Sequence, residues 1–128
     1  MLDSYGSEAM AYPGALSIKG ELVGRTVFLT GASGFVGSVL LEQLLRLCQP
    51  RKVYVLMRGR RTQTAAERLD KILASRLFHQ IRDDPQLLAK VQCVEGSLEG
   101  KSVAISDSDR ATLVNSVHAI FHCGELPI

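Results

Sequence analysis

Three glycines near the start of the chain have a spacing that suits the binding of a phosphate group. Gly31, Gly34 and Gly37 form the pattern G-x-x-G-x-x-G between a short apolar run and an amphipathic run. We expect Gly31 to adopt a positive φ at the exit from a strand, and Gly34 to leave its backbone open to a pyrophosphate. Gly37 would let the following helix press closely on that strand.

The start of that helix adds a second attraction for an anion. Its first N–H groups have no partner within the helix, and its dipole presents a positive end to the bound group. The residues that we predict to contact a dinucleotide here are Gly31, Ser33, Gly34, Phe35, Val36 and Gly37. The alternative is an ordinary turn with incidental glycines, which the flanking strand, helix and next strand disfavour.

Basic residues at the end of the second apolar run choose between NADH and NADPH. An acidic residue about 20 positions past the glycine turn would bind the ribose 2′-hydroxyl of NADH. This chain instead has Arg58, followed by Arg60 and Arg61, and no acidic residue lies between Arg58 and Glu67. Guanidinium groups bind a 2′-phosphate through their charge and their forked donors. Arg58 and Arg61 therefore predict NADPH as cofactor, the alternative being a basic solvated loop.

Two later segments are expected to reach the same edge of the sheet. Ser97 and Leu98 follow the third apolar run, where we predict contacts to adenine, although Ser97 would also suit a turn. Cys123 ends the fourth run, where the cofactor would cross the sheet. His118 and His122 are predicted to be core or face residues of a strand rather than metal ligands, because no Glu accompanies them in an H-E-x-x-H motif.

The composition is that of one soluble globular domain. The 128 residues are 46% hydrophobic and 22% charged, which is enough apolar material for a core. A net charge of +2 without a long Lys/Arg block argues against a nucleic-acid partner. Three scattered cysteines predict reduced thiols and no metal site. Without a signal sequence or an apolar window of about 18 residues, we expect an intracellular protein with no membrane segment in this chain.

The elements around the turn alternate between strands and helices. We predict a flexible leader over residues 1–22 and a partial Rossmann NADP-binding domain over residues 23–128. Its strands are predicted at Thr26–Thr30, Lys52–Met57, Val91–Glu95 and Val117–Cys123, and its helices at residues 34–48, 64–81, 85–90 and 106–115, with a loop at residues 100–105.

This order predicts an α/β fold, an incomplete NAD(P)-binding Rossmann fold with a parallel sheet in strand order 3-2-1-4. The capping residues Thr64, Asp84 and Ser106 mark the starts of three of the helices. No fifth strand follows the fourth, so we expect an open apolar edge there. That edge is a candidate surface for association with another chain.

From about Gly24 to Cys123 the chain resembles the N-terminal part of alcohol-forming fatty acyl-CoA reductases, a branch of the extended short-chain dehydrogenase/reductases. The segments that carry the resemblance are TVFLTGASGFVG, VLLEQLLR, KVYVLMR, ERLDKILASRLF, VEGSL and VHAIFHC. The resemblance implies reduction of a long-chain acyl-CoA to a fatty alcohol, with two hydrides from NADPH and a bound aldehyde between them. It also implies association with peroxisomal or endoplasmic reticulum membranes.

The resemblance assigns the glycine turn to Gly31, Gly34 and Gly37 and the phosphate-binding arginine to Arg58. Where the family has Gly-Asp-Leu after the third strand, this chain has Ser97 at the central position. The superfamily's catalytic Tyr-x-x-x-Lys pair is absent, because each tyrosine is followed four residues later by another type: Tyr5 by Ala9, Tyr12 by Leu16 and Tyr54 by Arg58. We therefore assign no catalytic residue and expect the chain alone to be inactive.

Two alternatives stay open beside a reductase represented by its cofactor-binding half. One is a truncated, non-catalytic NADP-binding isoform or a gene-model fragment, which the missing Tyr-x-x-x-Lys pair favours. The other is a different extended family member such as a sugar-nucleotide epimerase, which the helix from Glu67 to Phe78 disfavours. The lack of G-x-x-x-x-G-K excludes a P-loop NTPase.

Overall fold

Four parallel strands form the centre of the structure, a computed structural model that describes residues 17–99 and 104–124. The strands of the sheet are β1 (Thr26–Thr30), β2 (Lys52–Met57), β3 (Val91–Ser97), β4 (Ala104–Ile105) and β5 (Ala119–His122). Their spatial order is β4-β3-β2-β1-β5, and β3, β2, β1 and β5 pair in parallel. The predicted order of the four parallel strands is therefore confirmed.

The two-residue strand β4 was not predicted. Residues 104 and 105 were assigned to a loop, but they pair antiparallel with the end of β3, where Ile105 lies opposite Gly96. A Cβ at Gly96 would lie 2.6 Å from the Ala104 carbonyl oxygen and 2.6 Å from Ile105 Cγ2. The missing side chain of Gly96 thus lets the returning chain approach β3 closely enough to form the pairs.

One helix precedes the first parallel strand, and the others lie between successive strands. They are α1 (Ile18–Leu22), α2 (Phe35–Leu47), α3 (Ala65–Leu73), α4 (Pro85–Leu88) and α5 (Asp107–Ser116), with a 3-10 turn at Arg76–Phe78. The predicted caps are confirmed: Thr64 forms a capping box with Glu67, Asp84 caps α4, and Ser106 caps α5. Among the described residues no helix has the length and apolar character needed to cross a membrane.

The helix predicted over residues 64–81 ends early. α3 stops at Leu73, and Ser75 then adopts an extended conformation with φ −71° and ψ 165°. The chain turns and buries Phe78 fully and Ile81 almost fully against the same core. The spacing of the apolar residues therefore predicted their burial correctly. The prediction of one continuous helix over residues 64–81 was wrong.

A short helix occupies the last part of the segment predicted to be a flexible leader. Ser17 caps α1 by accepting a hydrogen bond from the Gly20 N–H, and Leu22 at its end is buried in the core. Residues 18–22 thus form a short helix where no regular element was predicted, and the flexible leader itself stays a prediction. Residues 1–16 of the predicted leader lie outside the described residues.

The core covers both faces of the sheet. All five residues of β1 are buried, and alternate side chains point to opposite faces. Val27 and Leu29 face α2 and its buried leucines, whereas Phe28 packs with Tyr54 of β2 on the side of α5. A strand held on both faces gives its carboxyl end a fixed position, which is where the candidate site begins.

Strand β5 lies at one end of the described sheet. Its residues alternate between half-buried and exposed, and the Ile120 side chain is 68% exposed. Within the described residues no strand pairs with the outer side of β5, and an open apolar edge in the protein stays a prediction. Association with another chain through this edge stays a prediction.

Candidate dinucleotide-binding site

Only glycine fits at position 31, the first residue after β1. Gly31 has φ +82°, a conformation that residues with a side chain rarely adopt. A Cβ there would also lie 2.4 Å from the Cys123 carbonyl carbon and 2.4 Å from the Gly124 nitrogen. The end of β5 thus presses directly on the turn, and the predicted positive φ is confirmed.

The third glycine, Gly37, allows α2 to pack directly against the turn. A Cβ at Gly37 would lie 1.9 Å from the Gly31 carbonyl oxygen, far inside contact distance. The predicted close approach of helix and strand is therefore confirmed. Gly34 differs, because a Cβ there would meet only the Gly31 carbonyl oxygen at 3.5 Å, an ordinary contact. The fold itself does not require glycine at position 34, and its role against a pyrophosphate stays a prediction.

The first turn of α2 is exposed and, among the described side chains, uncapped. Gly34 is the N-cap and supplies no side chain to the free N–H groups. Phe35 is 84% exposed and Val36 67% exposed, and Ser33 lies on the surface before them. The structure thus brings the predicted residues of the turn together around open backbone donors, an arrangement that suits an anion.

Two histidines of the last strand segment bind β1. His122 Nδ1 lies 2.6 Å from Thr30 Oγ1, and the Cys123 N–H donates to the Thr30 carbonyl oxygen at 3.0 Å. At the opposite edge, His118 Nδ1 accepts from the Thr26 N–H at 3.1 Å. Both rings are surface residues of the sheet, and no group of three metal-ligating side chains occurs in residues 17–99 and 104–124.

A cavity of about 690 Å³ opens beside the carboxyl end of β2. It is lined by the basic segment that follows this strand and by the end of β3: Arg58, Gly59, Arg60, Arg61, Thr62, Gln63, Thr64, Glu67, Glu95, Gly96, Ser97 and Ala104. Arg58 and Arg61, predicted to bind a 2′-phosphate, both face this cavity. The Arg58 guanidinium forms an ion pair with Glu99, although the two residues are 41 positions apart.

Arg68 is a further basic residue that the sequence analysis missed. Its guanidinium donates to the Arg58 carbonyl oxygen, and it lines a second cavity of about 350 Å³ together with Ser33. Burial lowers the pKa of Arg68 from its ordinary value, and the positive charges of Arg60 and Arg58 lower it further. The spacing of Arg68 in α3 could have indicated this position. Arg68 is three residues after Ala65 and four before Ile72, so it lies on the helix face that is directed toward the core.

The segments after β3 and β5 meet each other. Ser97 Oγ accepts from the Glu99 N–H at 3.1 Å, the turn role that was the alternative for this residue, and it also lines the larger cavity. Leu98 packs on the buried cluster that contains Phe28 and Tyr54, and it lies against Gly124, where an added Cβ would lie 2.6 Å from Leu98 Cδ1. Contacts of Ser97, Leu98 and Cys123 to a nucleotide stay predictions.

A family model with the description Male sterility protein, an NAD-binding family, matches residues 29–125. Fatty acyl-CoA reductase 1 from Mus musculus is 42% identical over 111 residues, which are 84% of this chain and 21% of that protein. Fatty acyl-CoA reductase 2 from Bos taurus is 36% identical over 102 residues, 78% of this chain and 20% of that protein. The chain thus spans about a fifth of the length of these relatives.

Solved reductase domains share the fold. The terminal R domain of the myxalamid PKS-NRPS pathway matches with a TM-score of 0.62 and 25% identity, over 100% of this chain and 33% of that one. The PhqB reductase domain from Penicillium fellutanum matches with a TM-score of 0.62 and 28% identity, over 98% of this chain and 31% of that one. The α/β Rossmann-type assignment is therefore confirmed. The chain belongs to the NAD-binding Male sterility protein family, and its resemblance to fatty acyl-CoA reductases is confirmed.

Proposed function

We propose that this chain forms the NADPH-binding part of a reductase that converts a long-chain acyl-CoA to a fatty alcohol. The identity of 36–42% to fatty acyl-CoA reductases supports the substrate class. Because the chain spans about a fifth of those proteins, the acyl-binding groups and the reducing step belong to the whole protein. Association of that protein with peroxisomal or endoplasmic reticulum membranes is part of the same proposal.

The observation that carries the proposal is the close packing of the β1–α2 turn. The protein's own backbone requires glycine at two of its positions. An added Cβ would lie 2.4 Å from backbone atoms at Gly31 and 1.9 Å from a backbone oxygen at Gly37. Gly34 is required by nothing in the fold and lies at the exposed helix start. A bound pyrophosphate supplies the missing reason, since a side chain at Gly34 would occupy the place of the phosphate oxygens.

The basic cavity after β2 supports NADPH over NADH. Arg58, Arg60 and Arg61 line it, and Arg68 donates a hydrogen bond to the Arg58 carbonyl oxygen. The lowered pKa of Arg68 reflects, after burial, the positive potential of its arginine neighbours. A phosphate placed among these groups gains charge-assisted hydrogen bonds that a hydroxyl cannot form. Bound NADPH would supply the hydride, and this chain's residues would hold its pyrophosphate and its 2′-phosphate.

The reducing step needs a proton donor that this sequence lacks. In the superfamily the Tyr of a Tyr-x-x-x-Lys pair protonates the carbonyl oxygen, and no tyrosine of the 128 residues is followed by Lys at that spacing. The second candidate function, nucleotide binding without catalysis, is favoured for the isolated chain by this absence. We expect no NADPH oxidation when the purified chain is mixed with a long-chain acyl-CoA, and clear turnover would refute this expectation.

The substitution Gly34→Ala tests the cofactor site without disturbing the fold. The added methyl group meets one backbone oxygen at an ordinary 3.5 Å, so the melting temperature should stay within about 2 °C of the unchanged protein. NADPH affinity, measured by calorimetry, should fall about tenfold because the methyl group displaces the pyrophosphate from the backbone. Gly20→Ala in α1 is the matched control, since its Cβ also finds room, at 3.5 Å from Ser17.

An unchanged NADPH affinity in Gly34→Ala would contradict the proposed site. So would an equal loss of affinity in the Gly20→Ala control. Absence of any NADPH binding by the unchanged protein would overturn the cofactor proposal as a whole.

A further inference from the structure

The acidic side chain of Glu99 forms an ion pair with Arg58, the arginine that we propose binds the 2′-phosphate. Glu99 Oε1 accepts a charged hydrogen bond from Arg58 Nη1, across the edge between β2 and β3. Both side chains stay accessible to ligands, with 52% of Arg58 and 69% of Glu99 exposed. Arg58 lines the cavity and Glu99 contacts it from outside the lining, so a nucleotide phosphate that reaches Arg58 would also meet Glu99.

The position of Glu99 is set by the turn after β3. The Glu99 N–H donates to Ser97 Oγ at 3.1 Å, which holds the residue directly beyond the end of the strand. The two carboxylates that do line the cavity, Glu67 and Glu95, are engaged or placed differently. Glu67 is bonded to the Thr64 N–H within the capping box, and Glu95 lies close to Gly59. Among the described carboxylates, Glu99 is the one that forms an ion pair with Arg58.

We propose that Glu99 is a specificity-determining residue of the cofactor site, which lowers the preference for NADPH over NADH by competing for Arg58. This inference rests on the proposed nucleotide site. A 2′-phosphate can bind the Arg58 fork only after the Glu99 carboxylate has left it. The phosphate would also be repelled by that carboxylate if it stayed nearby.

NADH meets the opposite situation at the same place. Its ribose 2′-hydroxyl is a hydrogen-bond donor, and a carboxylate at this edge of the sheet is the usual acceptor for it. The hydroxyl leaves the ion pair with Arg58 intact. Arg58 and Glu99 therefore favour different nucleotides, and the measured preference is the difference between their effects.

The variant Glu99→Gln separates the two effects. Glutamine keeps the size of the side chain and removes its charge, so Arg58 becomes free for the phosphate. We expect NADPH to bind about two- to fivefold more tightly, the factor that corresponds to an exposed ion pair, with NADH binding unchanged or weaker. Calorimetric titration of the full chain with each nucleotide at low ionic strength measures both affinities.

A second background tests whether the effect passes through Arg58. In Arg58→Ala, the additional change Glu99→Gln should leave the NADPH affinity within about 1.5-fold, because there is no guanidinium left to release. If the gain persists there at full size, Glu99 acts as a general negative charge and the proposal is wrong. Glu21→Gln is the charge-matched control, since Glu21 is exposed on α1 and does not line the cavity.

The outcomes separate this inference from the proposed function. NADPH binding by the unchanged protein with no gain in Glu99→Gln overturns the role of Glu99 and leaves the cofactor site standing. No binding of either nucleotide by the unchanged protein and by Glu99→Gln overturns both. A melting temperature of Glu99→Gln equal to that of the unchanged protein shows that any change in affinity is local.

Discussion

The turn after β1 and the loop after β2 lie at the same edge of the sheet, but they are built in different ways. The turn is fixed by backbone contacts: Gly31 is pressed by the end of β5, and Gly37 seats α2 on the Gly31 carbonyl oxygen. The loop after β2 closes on one backbone pair between Arg60 and Gln63, and its charged side chains are exposed, of which Arg58 pairs with Glu99.

This difference assigns different tasks to the two regions. In the proposed function the turn would hold the pyrophosphate that NADH and NADPH share, and it allows little adjustment because a side chain at Gly31 or Gly37 would strain the fold. Exposed charges distinguish the nucleotides by one phosphate, and they exchange partners at small cost. Affinity for any dinucleotide should therefore depend on the turn, and the choice between dinucleotides should depend on the loop.

The largest expected effect is on stability, and it comes from adding a methyl group at Gly37, where α2 packs on the turn. Gly37→Ala places a Cβ 1.9 Å from a backbone oxygen that cannot move without displacing β1. The free energy of unfolding should fall by about 3 kcal/mol, measured by urea denaturation. Gly34→Ala, three residues earlier in the same motif and with an unhindered Cβ, is the internal control. A Gly37→Ala protein as stable as Gly34→Ala would show that the turn is not sterically fixed.

The next effect is on binding and leaves stability unchanged. Arg58→Ala removes an exposed guanidinium, so the free energy of unfolding should change by no more than about 0.5 kcal/mol. NADPH affinity should fall about tenfold through the lost charged hydrogen bonds, while NADH affinity should change less than about twofold. Arg51→Ala is the matched control, because Arg51 is an exposed arginine at the opposite end of β2.

Equal losses for both nucleotides in Arg58→Ala would remove the distinction between the two regions. An effect of the same size in Arg51→Ala would point to net charge rather than to a phosphate contact. Either result would leave the glycine turn as the whole of the nucleotide site.

The two regions also differ in how far the sequence predicts them. The glycine roles follow from residue types within seven positions, because positive φ and close approach are local requirements that glycine alone meets. The parallel strand order follows from the alternation of strands and helices. The caps at Thr64, Asp84 and Ser106 were likewise visible within one helical turn.

Interactions between distant segments were not predictable in this way. Glu99 meets Arg58 only because β3 pairs with β2 and the Ser97 turn directs the chain toward it. No acidic residue lies between Arg58 and Glu67 along the chain, yet the fold brings Glu99 to Arg58 in space. The early end of α3 and the ordering of α1 have the same origin, since Phe78 and Leu22 are placed by tertiary contacts that no local pattern encodes.

The smallest expected effect tests whether the helix after the arginine loop contributes stability or specificity. Thr64 closes this loop, and its hydroxyl oxygen accepts from the Glu67 N–H at 3.1 Å. Thr64→Ala should lower the free energy of unfolding by about 1 kcal/mol through the lost cap, whereas Thr64→Ser should retain most of it. Thr112→Ala within α5 is the control, since that hydroxyl caps no helix start and bonds to the Ser108 carbonyl oxygen.

The same variant also bears on the comparison of the two regions. Arg58 is fixed by the end of β2 rather than by α3, so the ratio of NADPH to NADH affinity in Thr64→Ala should stay within about twofold of its original value. A ratio that collapses toward one would mean that the capped helix, through the hydrogen bond from Arg68 to the Arg58 carbonyl oxygen, sets the position of the phosphate-binding arginine. The choice between NADPH and NADH would then depend on the backbone conformation of the loop, just as we expect dinucleotide affinity to depend on the backbone of the glycine turn.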